Sequence, residues 1–343
     1  MASGSAAGAG PAWLRDFFPG YFALVMATGI VALAAHLLHH EALAWPLFGI
    51  ALAAYPVLWL LLLARLLRFP RAVLADLRSH ARGPAFLTIV AANGVLGSGF
   101  AAFHLLTGLL PALFWFSAAL WLLLIYGFLG AATLGRTKPD LEHGLTGGWL
   151  MLVVATQALA VLASALAERT GTPPALTFAA LALYLLGSML YLLLLAEVLL
   201  RWTFQPMTPA EMDAPWWISM GAGAISTLAG SRLLALPGVE PHLEPLLRFV
   251  QPFTVLLWAT SSFWIPLLAI FSVWRVLQRE TQGYDPGLWS AVFPLGMYAA
   301  ATHDYAVVAH LPFLEPIPQV MFWLALAAWT ATFIAMWAHL LRR

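Results

Sequence analysis

The chain has 343 residues, 62% of them hydrophobic and 9% charged, with a net charge of +1. A water-soluble domain carries about 25% charged residues, so that class is excluded, and a mean hydropathy of +0.86 marks an integral membrane protein. The near-zero charge offers nothing to nucleic acid, and the absence of cysteine rules out disulfides, thiolate metal sites and cysteine-ligated clusters.

The opening "MASGSAAGAGPAW" has no basic n-region and no apolar h-region before Trp13. It reads as a short cytoplasmic tail over 1–17 rather than a cleaved signal. A single transmembrane domain is expected over 18–341. A span needs about 20 mostly apolar residues, and ten windows qualify: 18–40, 45–67, 84–106, 110–132, 146–166, 174–200, 214–236, 248–276, 288–310 and 315–341. Short connections make neighbours antiparallel. The expected fold is therefore all-α, ten spans arranged as five helical hairpins.

With both termini cytoplasmic, thirteen Lys and Arg residues fall inside and three (Arg169, Arg232 and Arg248) outside. That bias sets the orientation in a plasma (inner) membrane. The segment "RAVLADLRSHAR" (71–82) sets Val73, Leu74 and Leu77 among basic residues, the pattern of a short helix on the cytoplasmic interface. Near the inner end of the sixth span, Glu197 and Arg201 have the spacing of a structural i,i+4 pair.

Odd and even spans differ. The odd windows hold eleven glycines and the even windows four, and the odd ones also carry Thr28, Asn93, Ser98, Thr156, Gln157, Ser226, Thr227, Ser231 and Thr302. Small residues let helices approach closely, while Leu-rich surfaces suit lipid. Two readings follow. In one, the odd helices form an inner ring around a pore with the even helices outside; in the other, small residues only pack helices together.

The ninth window contains Phe293-Pro294. Proline removes an N–H and kinks a helix, which a membrane tolerates where the freed carbonyl meets a partner or a wet cavity. The Phe ring is then either a plug in a lumen or a packed core side chain. The same window carries His303-Asp304. These side chains lie about 100° apart on a helix, and at the outer end they admit two roles, a proton-linked site or a structural pair, with Arg232 as the candidate partner of Asp304. Histidines also gather at the outer ends of odd spans, His36 and His104 among them. With Arg232 they are candidates for an outer mouth, either as interfacial rings or as groups that turn cationic in acid.

Four stretches carry a resemblance. "FFPGYFALVMATGIVALA" (17–34), "FLTIVAANGVLGSG" (86–99), "PWWISMGAGAISTLAG" (215–230) and "YDPGLWSAVFPLGMYAAAT" (284–302) resemble the first, third, seventh and ninth helices of the tellurite-resistance/dicarboxylate transporter family, which includes slow anion channels and malate and sulfite permeases. The resemblance spans the whole chain. It implies a homotrimer whose protomers each hold a pore, five inner helices lining it, and a phenylalanine on the ninth helix occluding it, for which Phe293 with Pro294 is the matching position.

On that view Phe22, Thr28, Gly29, Asn93, Gly97, Gly221, Ser226 and Gly296 are the pore-lining candidates. No Lys or Arg lies in the middle of an odd span, so an anion would be held weakly, which favours passage. The expected function is an anion channel or uniporter for small inorganic anions or (di)carboxylates. A proton-coupled dicarboxylate or oxyanion carrier is the alternative, and a membrane redox subunit is the reading from another class. The sequence shows no nucleophile–base set, phosphate loop or metal cage, so no enzyme, cofactor or metal is expected.

Overall fold

The computed structural model describes residues 11–280 and 283–342. Most of the expected tail over 1–17 lies outside the described residues; within them the chain opens with a single turn, Ala12–Arg15. Ten long helices follow: α1 Phe22–Leu37, α2 Glu41–Arg68, α3 Thr88–Ala102, α4 Leu110–Leu134, α5 Met151–Arg169, α6 Pro174–Phe204, α7 Ile218–Leu234, α8 Glu244–Leu277, α9 Trp289–Val308 and α10 Pro316–Leu341. Among the described residues there is no strand.

Eight of these helices, with their lead-in turns, are long and apolar enough to cross a bilayer on their own. The two that fall short sit in the seventh and ninth windows. α7 has 17 residues, rich in Gly, Ser and Thr, and α9 contains Pro294, His303 and Asp304. Both are enclosed by other helices: every residue of α7 except Arg232 and Leu234 is buried. A helix walled by protein has no need of the hydropathy that lipid demands.

Burial alternates along the chain. In α1, α3 and α5, 83–94% of the apolar window is buried, against 28–44% in α2, α4, α6, α8 and α10. Contacts run from α1 to α3, α3 to α5, α5 to α7, α7 to α9, and from α9 back to α1. α2, α6, α8 and α10 each pack on the odd helix before them, while α4 is shared between α3 and α5.

The odd helices also share their ends. Each is entered through a 3-10 turn containing Gly or Pro: Pro19–Tyr21, Gly83–Leu87, Gly147–Leu150, Ala214–Trp217 and Pro286–Leu288. α1, α3 and α9 leave through the same left-handed cap. His39, His104 and His310 take φ of 64°, 51° and 56°. In each case the next amide N–H returns to a carbonyl five residues back: His40 to Ala35, Leu105 to Phe100 and Leu311 to Ala306. This is the Schellman arrangement, which satisfies carbonyls otherwise left free at a helix end. Histidine is among the residues enriched in that backbone region, so these three histidines have a structural reason for their positions.

Of the segment 71–82, expected as a short interfacial helix, residues up to Arg78 form a helix, Pro70–Arg78. The expected Glu197–Arg201 pair does not: Arg201 is buried and turns to Glu211 (3.3 Å) and to the Pro206 carbonyl (3.0 Å). A buried guanidinium needs several acceptors at once, and the loop after α6 supplies them where an exposed Glu197 on the same helix offers one.

Candidate functional site

At the centre of the odd helices lies a cavity of about 10 Å³, close to the smallest space that holds one water. All five odd helices reach it: Ile30 from α1; Gly94, Val95 and Ser98 from α3; Ala158 and Val161 from α5; Ile225 and Leu228 from α7; Met297 from α9. The wall is apolar apart from Ser98, whose hydroxyl donates to the Gly94 carbonyl (2.9 Å). No charged side chain lines it.

None of the eight expected lining residues is in this wall. Several miss by one position: Gly29 beside Ile30, Asn93 beside Gly94, Gly97 beside Ser98, Ser226 beside Ile225, and Gly296 beside Met297. One residue is about 100° of rotation on a helix, so these five positions lie on a different side of their helices from the residues that line this cavity. Polar groups and glycines serve helix contacts instead. The Asn93 amide accepts from Tyr55 on α2 (2.6 Å) and donates to Ser117 on α4 (3.0 Å). Thr28 accepts from the Trp329 indole of α10 (2.9 Å). The same device recurs twice, with Trp121 of α4 donating to Thr156 of α5 and Trp258 of α8 donating to Thr302 of α9. A buried indole N–H needs an acceptor, and the odd-helix threonines provide it. Ser226 bonds to its own helix at the Ala222 carbonyl.

The glycines mark close approaches. A β-carbon on Gly221 would meet Pro294 at 2.8 Å, one on Gly29 would meet Val95 at 2.7 Å, and one on Gly97 would run into Leu162. Gly296 faces Ile30 and Val31. Phe22 is fully buried, edge-on to Tyr55 and Trp59 of α2.

Phe293 is fully buried. Met297, which does line the cavity, lies one helical turn further on, so both stand on nearly the same face of α9. Pro294 beside it packs into the notch left by Gly221.

At the far end of α7 and α9, Arg232 meets Asp304 at 2.7 Å. The alignment is not that of a hydrogen bond at this oxygen, so the contact is an ion pair of a half-buried guanidinium with a mostly buried carboxylate. His303 turns elsewhere, its Nδ1 3.2 Å from Glu315. The His36 ring faces Glu41 at 2.7 Å and stacks at a tilt on Phe103. His104 is exposed. Of the candidates at this end, only Arg232 and Asp304 are joined to each other.

A larger cavity, about 430 Å³, opens where α8 ends and α7 and α9 begin, bordered by Asp213, Arg275, Glu280 and Asp285. Asp213 is exposed at the cavity mouth, with protein packed around its remaining sides. That partial desolvation pushes its carboxyl up to about 7, opposed by Arg275 and assisted by Asp285. Neither Asp213 nor this cavity was signalled by the sequence, because Asp213 is separated by some sixty residues from the stretch 275–285 that carries the other three groups. Among the described residues no cluster of His, Asp and Glu has the makings of a metal site.

Residues 16–337 match SLAC1, the voltage-dependent anion channel family. An uncharacterized transporter of Methanocaldococcus jannaschii is 25% identical over 94% of both chains, and a second from that organism is 26% identical over 94% of this chain and 92% of its own. An uncharacterized membrane protein of Mycobacterium tuberculosis is 38% identical over 44% of this chain and 77% of its own.

Proposed function

The chain belongs to the voltage-dependent anion channel family, and from that premise we propose that it passes small inorganic anions or (di)carboxylates along an axis between α1, α3, α5, α7 and α9. The observation that carries this reading is the central cavity: all five buried helices contribute to it and nothing charged lines it. A passage that narrows to about one water and whose wall is apolar apart from Ser98 excludes water, and hydrophobic constrictions gate by that means. Phe293 is the proposed gate, since it stands one turn from Met297 on the same face of α9. Pro294 and Gly221 hold that stretch of helix in place.

In this reading the protein sits in the plasma membrane as a homotrimer, with the arginine-rich ends of the helices and both termini in the cytoplasm. The absence of a fixed charge in the wall suits weak binding and passage rather than retention. The pairing of Asp304 with Arg232 gives that carboxylate a structural role, which favours a channel or uniporter over a proton-coupled carrier.

The test is electrical. Purified protein in a planar bilayer is exposed to gradients of chloride, nitrate, sulfite and malate at two pH values. The reversal potential is expected to follow the anion gradient alone. A potential that moves with a proton gradient would establish the coupled carrier instead, and absence of current and of flux with every anion would overturn the transport reading.

A further inference from the structure

We propose that the helix Pro70–Arg78 and the adjoining end of α2 form a binding surface for the headgroup of an anionic phospholipid. α2 carries exposed Leu66 and Leu67 to its last turn, so lipid reaches that level. The chain then breaks at Phe69-Pro70 and the nine-residue helix begins at once. It therefore lies at the edge of the hydrocarbon by position alone.

Its two faces differ. Toward the protein, Asp76 is 2.7 Å from Arg65 and 2.8 Å from Arg82, and Leu77 packs beside Gly127 of α4. These contacts fix how the helix is rolled. The opposite face presents Arg71, Leu74, Ala75 and Arg78, all exposed, at the i, i+3, i+4 and i+7 spacing of one stripe. Arg68, at the end of α2, is exposed beside it. Among the described residues Arg68, Arg71 and Arg78 have no ion-pair partner, since the single nearby carboxylate of the helix is held by Arg65 and Arg82.

Three unneutralised guanidiniums around an exposed leucine match a lipid in both parts. The arginines meet the headgroup phosphate and the leucine meets the acyl chain, as on other interfacial amphipathic helices. A soluble anion would satisfy the charges and leave Leu74 in water.

Native mass spectrometry of the full-length protein in detergent tests this, with phosphatidylglycerol and phosphatidylcholine of matched chains as probes. The wild type is expected to retain phosphatidylglycerol preferentially. Each basic residue near a membrane surface contributes about fivefold, so the triple variant R68Q/R71Q/R78Q should bind phosphatidylglycerol about a hundredfold more weakly, with phosphatidylcholine unchanged. The triple Lys variant should keep most of the preference, and Leu74→Gln should weaken phosphatidylglycerol while leaving its charge selectivity. Equal retention of the two lipids by the wild type would overturn the proposal, as would undiminished phosphatidylglycerol binding by the Gln variant. Displacement of phosphatidylglycerol by inorganic phosphate would overturn it in favour of a free-anion site. The single variant Arg71→Gln, expected to lose about fivefold, serves if the triple variant does not assemble. The readout is binding, so it stands or falls independently of transport.

Discussion

Gly221 of α7 and Pro294 of α9 face each other so closely that a β-carbon on the glycine would come within 2.8 Å of the proline ring and 3.2 Å of its Cα. The proline ring and backbone are rigid, so a side chain at 221 must push the two helices apart. Gly221→Val is expected to cost about 1–3 kcal/mol, the usual price of overpacking, and to disturb conduction by moving the stretch that carries Phe293. Thermal unfolding in detergent beside bilayer recordings checks both, and an unchanged melting temperature would show that the helices part freely here.

Phe293→Ala should raise anion flux severalfold, while Phe293→Leu, which keeps an apolar bulk on that face, should stay near the wild type. Truncating a buried phenylalanine also costs about 3–5 kcal/mol, so the assembled state of each variant must be verified by size-exclusion chromatography. Equal flux from well-assembled Ala and wild-type proteins would remove Phe293 as the gate.

Arg232 and Asp304 tie the ends of α7 and α9 together. Arg232→Ala leaves a mostly buried carboxylate without its counter-ion and should destabilise by about 1–3 kcal/mol. Asp304→Ala in that background should recover part of the loss. A double-mutant cycle with coupling near zero would mean that the pair contributes nothing to holding the helices.

Asp213 gives a pH signature. Its folded carboxyl lies near 7, above the ordinary 3.8, so the folded state prefers the protonated form. This preference stabilises fully below about 3.8 and is lost as pH rises through about 7. Asp213→Asn should therefore raise the melting temperature at pH 8 and leave it unchanged at pH 3.5. Water at the cavity mouth keeps the gain modest. A gain of equal size at both pH values would point to hydrogen bonding rather than charge.

The left-handed histidines can be relieved. Glycine at 39, 104 or 310 removes the β-carbon clash of that backbone region but adds freedom to the unfolded chain, for a net gain of about 0.5 kcal/mol each. Alanine at the same positions should give no such gain. Thermal shifts for the six single variants separate backbone relief from loss of the imidazole.

The sequence by itself determined the membrane class, the positions of the long helices, eight of them apolar enough to cross a membrane, and the difference between odd and even helices, because these are sums over windows of about twenty residues. It also pointed to Arg232 as the partner of Asp304, since both fall near the same end of neighbouring spans. Rotation about each helix axis was decided only by tertiary structure. Gly29 and Ile30, or Gly296 and Met297, are equal neighbours in a window, yet about 100° apart on the helix. Which of them faces the centre depends on what the other must touch. Glycines went to the closest helix contacts, threonines to the indoles of Trp329, Trp121 and Trp258, and Asn93 to Tyr55 and Ser117. Ser226 and Ser98 turned to carbonyls of their own helices, and apart from Ser98 the wall of the central cavity was left to apolar residues.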